Sequence, residues 1–152
     1  MTAPSLQAEA TAVDVPVPDS HRDLLERPVV GVLTTMLPDG QPQSSLVWVD
    51  LADGCALVNT TLERRKGRCL VSDPRVSLLV VDPDDTSRFV QVRGVAELVT
   101  SGAEAHLDEL TRRYTSHPAY YGYLYPEAQR ARETRVIVRI HARRVTLDAI
   151  HR

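Results

Sequence analysis

Lysine occurs once among the 18 basic residues of this chain, at Lys66, within the stretch Asn59-Thr60-Thr61-Leu62-Glu63-Arg64-Arg65-Lys66-Gly67-Arg68. On a helix turning ~100° per residue, Leu62, Lys66, Cys69 and Leu70 share one side. The lone lysine therefore lies with the apolar stripe, and lysine is almost never fully buried unless paired. Two readings follow. In one, Lys66 runs its aliphatic stem along the core edge and keeps its ammonium in water. In the other, it is a cationic clamp near a helix N-terminus, where backbone donors and the helix dipole favour an anion such as phosphate. Thr60 and Thr61 would add hydroxyl donors. Gly67 costs roughly 1 kcal/mol relative to alanine inside a helix, so close approach by another backbone is its expected use.

Other chemistry finds less footing. His21, His106, His117, His141 and His151 show no metal-binding spacing with one another or with cysteine, so no metal site is expected. Ser44-Ser45 lacks the Gly-x-Ser-x-Gly elbow of a serine hydrolase, and no Gly-rich phosphate loop is present. The run Arg64-Arg65-Lys66 is short and balanced by acids elsewhere, which disfavours nucleic acid. Tyr120, Tyr121, Tyr123 and Tyr125 crowd one connection. They either pack a long loop or subunit contact, or form an aromatic wall for a planar substrate.

The elements that must hold these residues are mostly strands. Val29 to Met36 is apolar and β-branched. Pro38-Asp39-Gly40 turns the chain, because proline presets φ and glycine accepts a positive one. Gln41 to Leu51 reads as the second strand of that hairpin and Cys55 to Thr60 as a third. Thr60 and Glu63 have capping-box spacing for a helix over 60–71, which Asp73-Pro74 ends. Val76 to Val81 reads as a strand buried on both faces. Arg88 to Thr100 alternates, with Val90, Val92, Ala96 and Leu98 on one side. Ser101 and Glu104 repeat the capping box before a helix whose inner stripe is Ala103, Leu107, Leu110 and Tyr114. Thr134 to Ile150 supplies a last long strand, or two. Ser20 to Glu26 reads as a short helix with Ser20 as its N-cap. Six or so strands with two or three helices predict a small antiparallel barrel.

A length of 152 residues fits one domain with a self-sufficient core. The residues before 20 lack periodicity, predicting a flexible arm over 1–19 and a single domain over 20–152. Hydrophobic residues at 43% and charged residues at 25% exclude a disordered chain. A formal net charge of −2 gives no reason to expect nucleic acid or an anionic membrane. The only two cysteines, Cys55 and Cys69, build no disulfide framework. No apolar run reaches the ~18 residues of a spanning helix, and the first residues lack a signal-peptide pattern. The expected location is cytoplasmic.

Val30-Gly31-Val32-Leu33-Thr34-Thr35, with Pro38-Asp39-Gly40-Gln41-Pro42, resembles the opening hairpin of the pyridoxamine 5′-phosphate oxidase-like split β-barrel proteins. Asn59 to Arg68, followed by Asp73-Pro74-Arg75-Val76, resembles their phosphate-binding segment, and Gln91-Val92-Arg93-Gly94 is similar to a later family strand. The resemblance runs from about Pro28 to Leu147. It implies a mainly β, six-stranded antiparallel split barrel like the FMN-binding proteins. It also implies a homodimer, with a flavin or deazaflavin at the interface. By position, Arg65 and Lys66 match the pair that holds the cofactor phosphate, with Arg64 assisting. Asn59, Thr60 and Thr61 match the residues beside it. Ser44, Ser45 and Val47 lie in the segment matching the ring-lining strand, and Gln91 falls near a cofactor-contacting position.

One departure from the family pattern directs the cofactor choice. True pyridoxamine-phosphate oxidases carry an arginine, an apolar pair and a lysine on the second strand; here that stretch reads Ser45-Leu46-Val47-Trp48-Val49-Asp50. The pattern resembles the branch that uses the deazaflavin coenzyme F420, typical of actinobacteria, and the near-absence of lysine suits a GC-rich genome. The resemblance therefore implies an oxidoreductase transferring a hydride from reduced F420 to a conjugated, electron-poor small molecule. The cofactor carries the hydride and the protein binds and orients, so no catalytic side chain is assigned. The alternatives are an FMN-dependent oxidase or reductase, and a non-enzymatic carrier of a flavin, deazaflavin or haem-like ligand.

Overall fold

The computed structural model describes residues 13–148; the arm expected over 1–19 lies outside the described residues as far as residue 12. A 3₁₀ turn, Asp19–His21, leads into the short helix α1, Asp23–Glu26. Ser20 lies inside that turn and bonds the ring of His21, so it is not the N-cap of α1. Seven strands follow: β1 Gly31–Met36, β2 Pro42–Val47, β3 Asp50–Ala52, β4 Cys55–Thr61, β5 Arg75–Val81, β6 Phe89–Val99 and β7 Arg135–Leu147. Helix α2, Arg65–Ser72, links β4 to β5, and α3, Ala103–Tyr114, follows β6. All strand pairs are antiparallel, in the order β2-β1-β5-β6-β7-β4-β3. The mainly β, antiparallel architecture is as expected, with seven strands in place of six.

The extra strand has a local cause. The expected strand Gln41 to Leu51 breaks at Trp48-Val49, because the Val49 backbone is claimed by a side chain. The Val49 N–H donates to Tyr114 Oη at 2.9 Å, and that hydroxyl lies 2.7 Å from the Val29 carbonyl, to which it donates. Once a residue's backbone groups are satisfied outside the ladder, the strand can turn there. Asp50 then opens β3, paired with β4 through Asp50↔Leu57.

Leu33, Val47, Val58, Leu78, Val80, Val90, Val92, Val138 and Ile140 pack into one core with Leu24 and Leu25 of α1. One face of the sheet thus converges on a single interior, so the sheet curls. β5 alternates buried and partly exposed residues rather than being buried on both sides. A register shift at Arg93/Gly94 lets β6 and β7 bend together. It leaves Ala142 and Val145, three residues apart, both against the core. A Cβ on Gly94 would run into the His141 carbonyl, so that crossing requires glycine. The last strand is one unbroken element of 13 residues.

Both capping boxes resolve differently. β4 continues through Thr60 and Thr61, which pair with Val136 and Arg135 of β7. α2 therefore begins five residues after Thr60, at Arg65. Thr61 Oγ1 still accepts the Arg64 N–H at 3.1 Å, while the Glu63 carboxylate accepts the Thr134 N–H across the connection. At α3, Gly102 in the left-handed region is the cap and Glu104 pairs with Arg130.

Candidate cofactor-binding groove

The handover from β4 to α2 sets Lys66 on the first turn of α2. Gly67 makes this geometry possible, since any Cβ there would overlap the Thr61 carbonyl. Cys69 and Leu70 enter the core, as the helical stripe predicts. Lys66 is half-buried and lines a groove of about 420 Å³. Val30, Leu46, Val47, Trp48, Leu107 and Leu110 form its apolar side, and Asn59, Arg64, Lys66, Tyr120 and Arg135 its polar side. A smaller hollow of about 180 Å³, lined by Thr35, Gln43, Ser45, Arg64, Arg65 and Lys66, shares Arg64 and Lys66 with it.

The charge in the groove is unbalanced. Among the described residues no carboxylate pairs with Lys66. Burial, then the nearby Arg64 and Arg135 cations, hold its ammonium below the usual lysine range. Arg135 is 7% exposed. Its Nε donates to Asn59 Oδ1 at 3.0 Å, and Tyr120 lies under its guanidinium with the ring centroid 5.3 Å away. Among the described residues its Nη1 is buried with no hydrogen-bond partner. Glu133 Oε2 lies 3.6 Å from it, an ion-pair distance too long for a hydrogen bond. That carboxylate oxygen instead accepts Tyr121 Oη–H at 2.6 Å. A buried donor left unmade costs about 1–3 kcal/mol, which an anion in the groove would recover. These residues fit a phosphate-bearing ligand: among the described residues Lys66 has no carboxylate partner and Arg135 Nη1 no hydrogen bond, and apolar side chains line the rest of the groove.

The expected site residues divide by position. Ser45, Val47, Asn59, Arg64, Arg65 and Lys66 line the groove or the adjoining hollow. Thr60 and Thr61 are buried behind it. Ser44 faces the other side of β2 and bonds Thr34 Oγ1 at 2.9 Å. Gln91, on β6, lines neither cavity; its amide donates to Ser77 Oγ at 3.3 Å. Arg65 also reaches a larger concavity of about 960 Å³ with Arg68, Ser72 and Asp73. That surface has the greater volume, yet it holds neither Lys66 nor the unpartnered Arg135 nitrogen, so the smaller groove is the better candidate.

Arg135 and Leu107 were not among the expected site residues, whereas Trp48 lies in the segment matched to the ring-lining strand and Tyr120 in the tyrosine connection. Arg135 opens a strand of alternating apolar residues, and nothing in that spacing separates it from Arg139 or Arg143, which are partly exposed and paired with Asp53 and Asp14. The tyrosine connection is divided between inward packing and the groove lining. Tyr121 is 3% exposed and packs inward, whereas Tyr120 walls the groove.

At the opposite end of β4, Asp14, Cys55 and His141 bring their ligand atoms within 4.8 Å of one another. Asp14 is engaged there by Arg143 at 2.9 Å and His141 at 2.8 Å, and His141 also meets Glu97 at 2.8 Å. Among the described residues, no helix is long and apolar enough to cross a membrane.

A family model described as pyridoxamine 5′-phosphate oxidase matches residues 17–147. The chain belongs to the pyridoxamine 5′-phosphate oxidase family. Among solved structures it is similar to an F420 reductase, with 32% identity and a TM-score of 0.71 over 86% of this chain and 98% of the other. It is also similar to a conserved hypothetical protein from Mycobacterium tuberculosis, with 31% identity and a TM-score of 0.64 over 90% and 88% of the two chains. A haem-binding protein from Mycobacterium smegmatis shares the fold at 23% identity and a TM-score of 0.54, over 88% of this chain and 55% of that one. No curated protein matches the chain.

Proposed function

We propose that this protein is an F420-dependent oxidoreductase that delivers a hydride to a conjugated, electron-poor small molecule. The observation that carries the reading is the groove's polarity. Among the described residues Lys66 and Arg135 Nη1 stand without carboxylate hydrogen-bond partners in a groove whose other lining includes Leu46, Trp48, Leu107 and Leu110. A coenzyme with a charged phosphate tail and a planar ring system matches both ends. The 32% identity to an F420 reductase favours the deazaflavin over FMN.

Bound reduced F420 supplies the hydride. The chain's own residues bind, orient and exclude water. Lys66, Arg64 and Arg135 meet the phosphate, with Arg65 contributing from the adjoining hollow. Asn59 holds the Arg135 guanidinium, and Thr61 fixes the backbone where α2 begins. Ser45 and Val47 belong to the strand flanking the groove. Ser44 and Gln91 face elsewhere within the single chain, and their proposed cofactor contacts would have to arise in a homodimer.

Parallel titration of the protein with F420 and FMN tests the reading, followed by single-turnover oxidation of the bound reduced cofactor by quinones and enones. Tighter binding of F420 and turnover with at least one acceptor are expected. Tighter FMN binding would make the protein a flavin enzyme, and binding without turnover would make it a carrier.

A further inference from the structure

α3 carries a buried histidine that the proposed chemistry does not use. His106 is 8% exposed and lies between two polar partners. Its Nε2 is 3.1 Å from Asp50 Oδ2, and its Nδ1 is 3.2 Å from Asn59 Nδ2. Around it, several partners can act in one direction only. The Ala103 carbonyl can only accept, so the Asn59 atom 2.8 Å from it is the amide nitrogen. Arg135 Nε can only donate, so the Asn59 atom facing it is the oxygen. The second Asn59 N–H then points at His106 Nδ1, which must accept. The imidazole proton is left on Nε2, directed at Asp50. Asp50 also accepts from Arg113 Nη1 at 2.8 Å and from the Leu51 N–H at 2.8 Å. Burial alone would raise its pKa, but these bonds with that from His106 hold the carboxyl at about 2, ionised and acceptor-only.

We propose that His106 is a positioning residue for the groove. Fixed as its Nε2–H tautomer by Asp50, it orders the Asn59 amide, and Asn59 Oδ1 in turn aims the Arg135 guanidinium so that Nη1 faces the ligand. The inference rests on reading the groove as an anion site. It extends that site from the cations at its surface to a polar chain crossing β7, β4, α3 and β3. From His106 Nε2 to Arg135 Nε each donor meets an acceptor, and Arg135 Nη1 is left for the ligand. Reversing any one link would set two donors or two acceptors against each other, so the chain has one low-energy orientation.

The test uses the full chain with inorganic pyrophosphate as probe, followed by long-range proton–nitrogen NMR of the histidine rings and of the Arg135 Nε–H. The unmodified protein should show His106 as the Nε2–H tautomer, and pyrophosphate should shift the Arg135 resonance. His106→Leu should weaken pyrophosphate binding about tenfold, as expected when a charge-assisted contact loses its geometry. His106→Gln should restore affinity to within about threefold, because its amide can donate to Asp50 and accept from Asn59. A folded His106→Leu protein that binds as the unmodified chain does, with only its melting temperature lowered, would overturn the proposal. An Nδ1–H tautomer in the unmodified protein would do the same, and that measurement stands even if the leucine variant fails to fold. If the unmodified chain itself ignores pyrophosphate, the anion reading of the groove fails, and this inference with it.

Discussion

Lys66 is held against its own preference. Burial and the neighbouring Arg64 and Arg135 cations all work against its charge, and a bound anion reverses each of these pressures. Lys66→Ala should therefore weaken F420 or pyrophosphate binding by ~1.5–3 kcal/mol, the range for a charge-assisted contact. Isothermal titration of the variant checks this, and unchanged affinity would remove the clamp. Asp50 is the converse case, a buried carboxylate held at about 2 by donors from His106, Arg113 and Leu51 despite its desolvation. Because its folded pKa lies below the unfolded value of ~3.9, its contribution is complete above that value. It is lost as the pH falls from about 4 through 2. Acid unfolding followed by circular dichroism should show this slope, and Asp50→Asn should flatten it. At neutral pH that variant should be destabilised by about 2 kcal/mol.

Among the elements, the junction of β4 and α2 is the most constrained. Helix propensity alone says that Gly67→Ala should stabilise α2 by roughly 1 kcal/mol. The Thr61 carbonyl occupies the space of the new methyl group, so the expected outcome is a loss of ~1–3 kcal/mol. A urea melt decides between the two signs. This junction also shows what the sequence made legible. The stripe of Cys69 and Leu70, the lone Lys66 on the same side and the close approach at Gly67 could all be read from spacing. The start of the helix could not. Thr60 and Glu63 have the spacing of a capping box, yet both residues serve the pairing of β4 with the chain around β7. The same limit hid β3, because nothing around Trp48-Val49 announces that Tyr114, sixty-five residues on, will take the Val49 backbone. Arg135 and His106 stayed unseen for a similar reason. Each looks like one more polar residue on a surface element, and only the packing of β7, α3 and β4 shows that both are buried.

For the molecule as a whole, the groove is open on the side of β2, an edge strand of the sheet. Leu46 there is 73% exposed and Val30 48% exposed, and both line the groove. Isolated apolar side chains on a surface are ordinary, but a pair at the mouth of a binding groove suits burial by a second subunit. In the homodimer proposed above, Leu46→Arg should shift the protein towards monomer and weaken cofactor binding together. Light scattering coupled to gel filtration, run alongside the titration, measures both. A monomeric unmodified protein that binds the cofactor normally would refute the shared-site arrangement.

The contact of Asp14, in the segment before α1, with Cys55 has a practical side. Asp14 sits 3.6 Å from the Cys55 sulfur, and burial together with that carboxylate pushes the thiol's pKa up. A sulfhydryl kept protonated and shielded is a poor target for oxidants and alkylating reagents. Trimming the chain to start at Pro16, a tempting economy in making the protein, would strip away this guard. Cys55 should then react with Ellman's reagent several-fold faster, and preparations stored in air should cross-link or lose thiol titre.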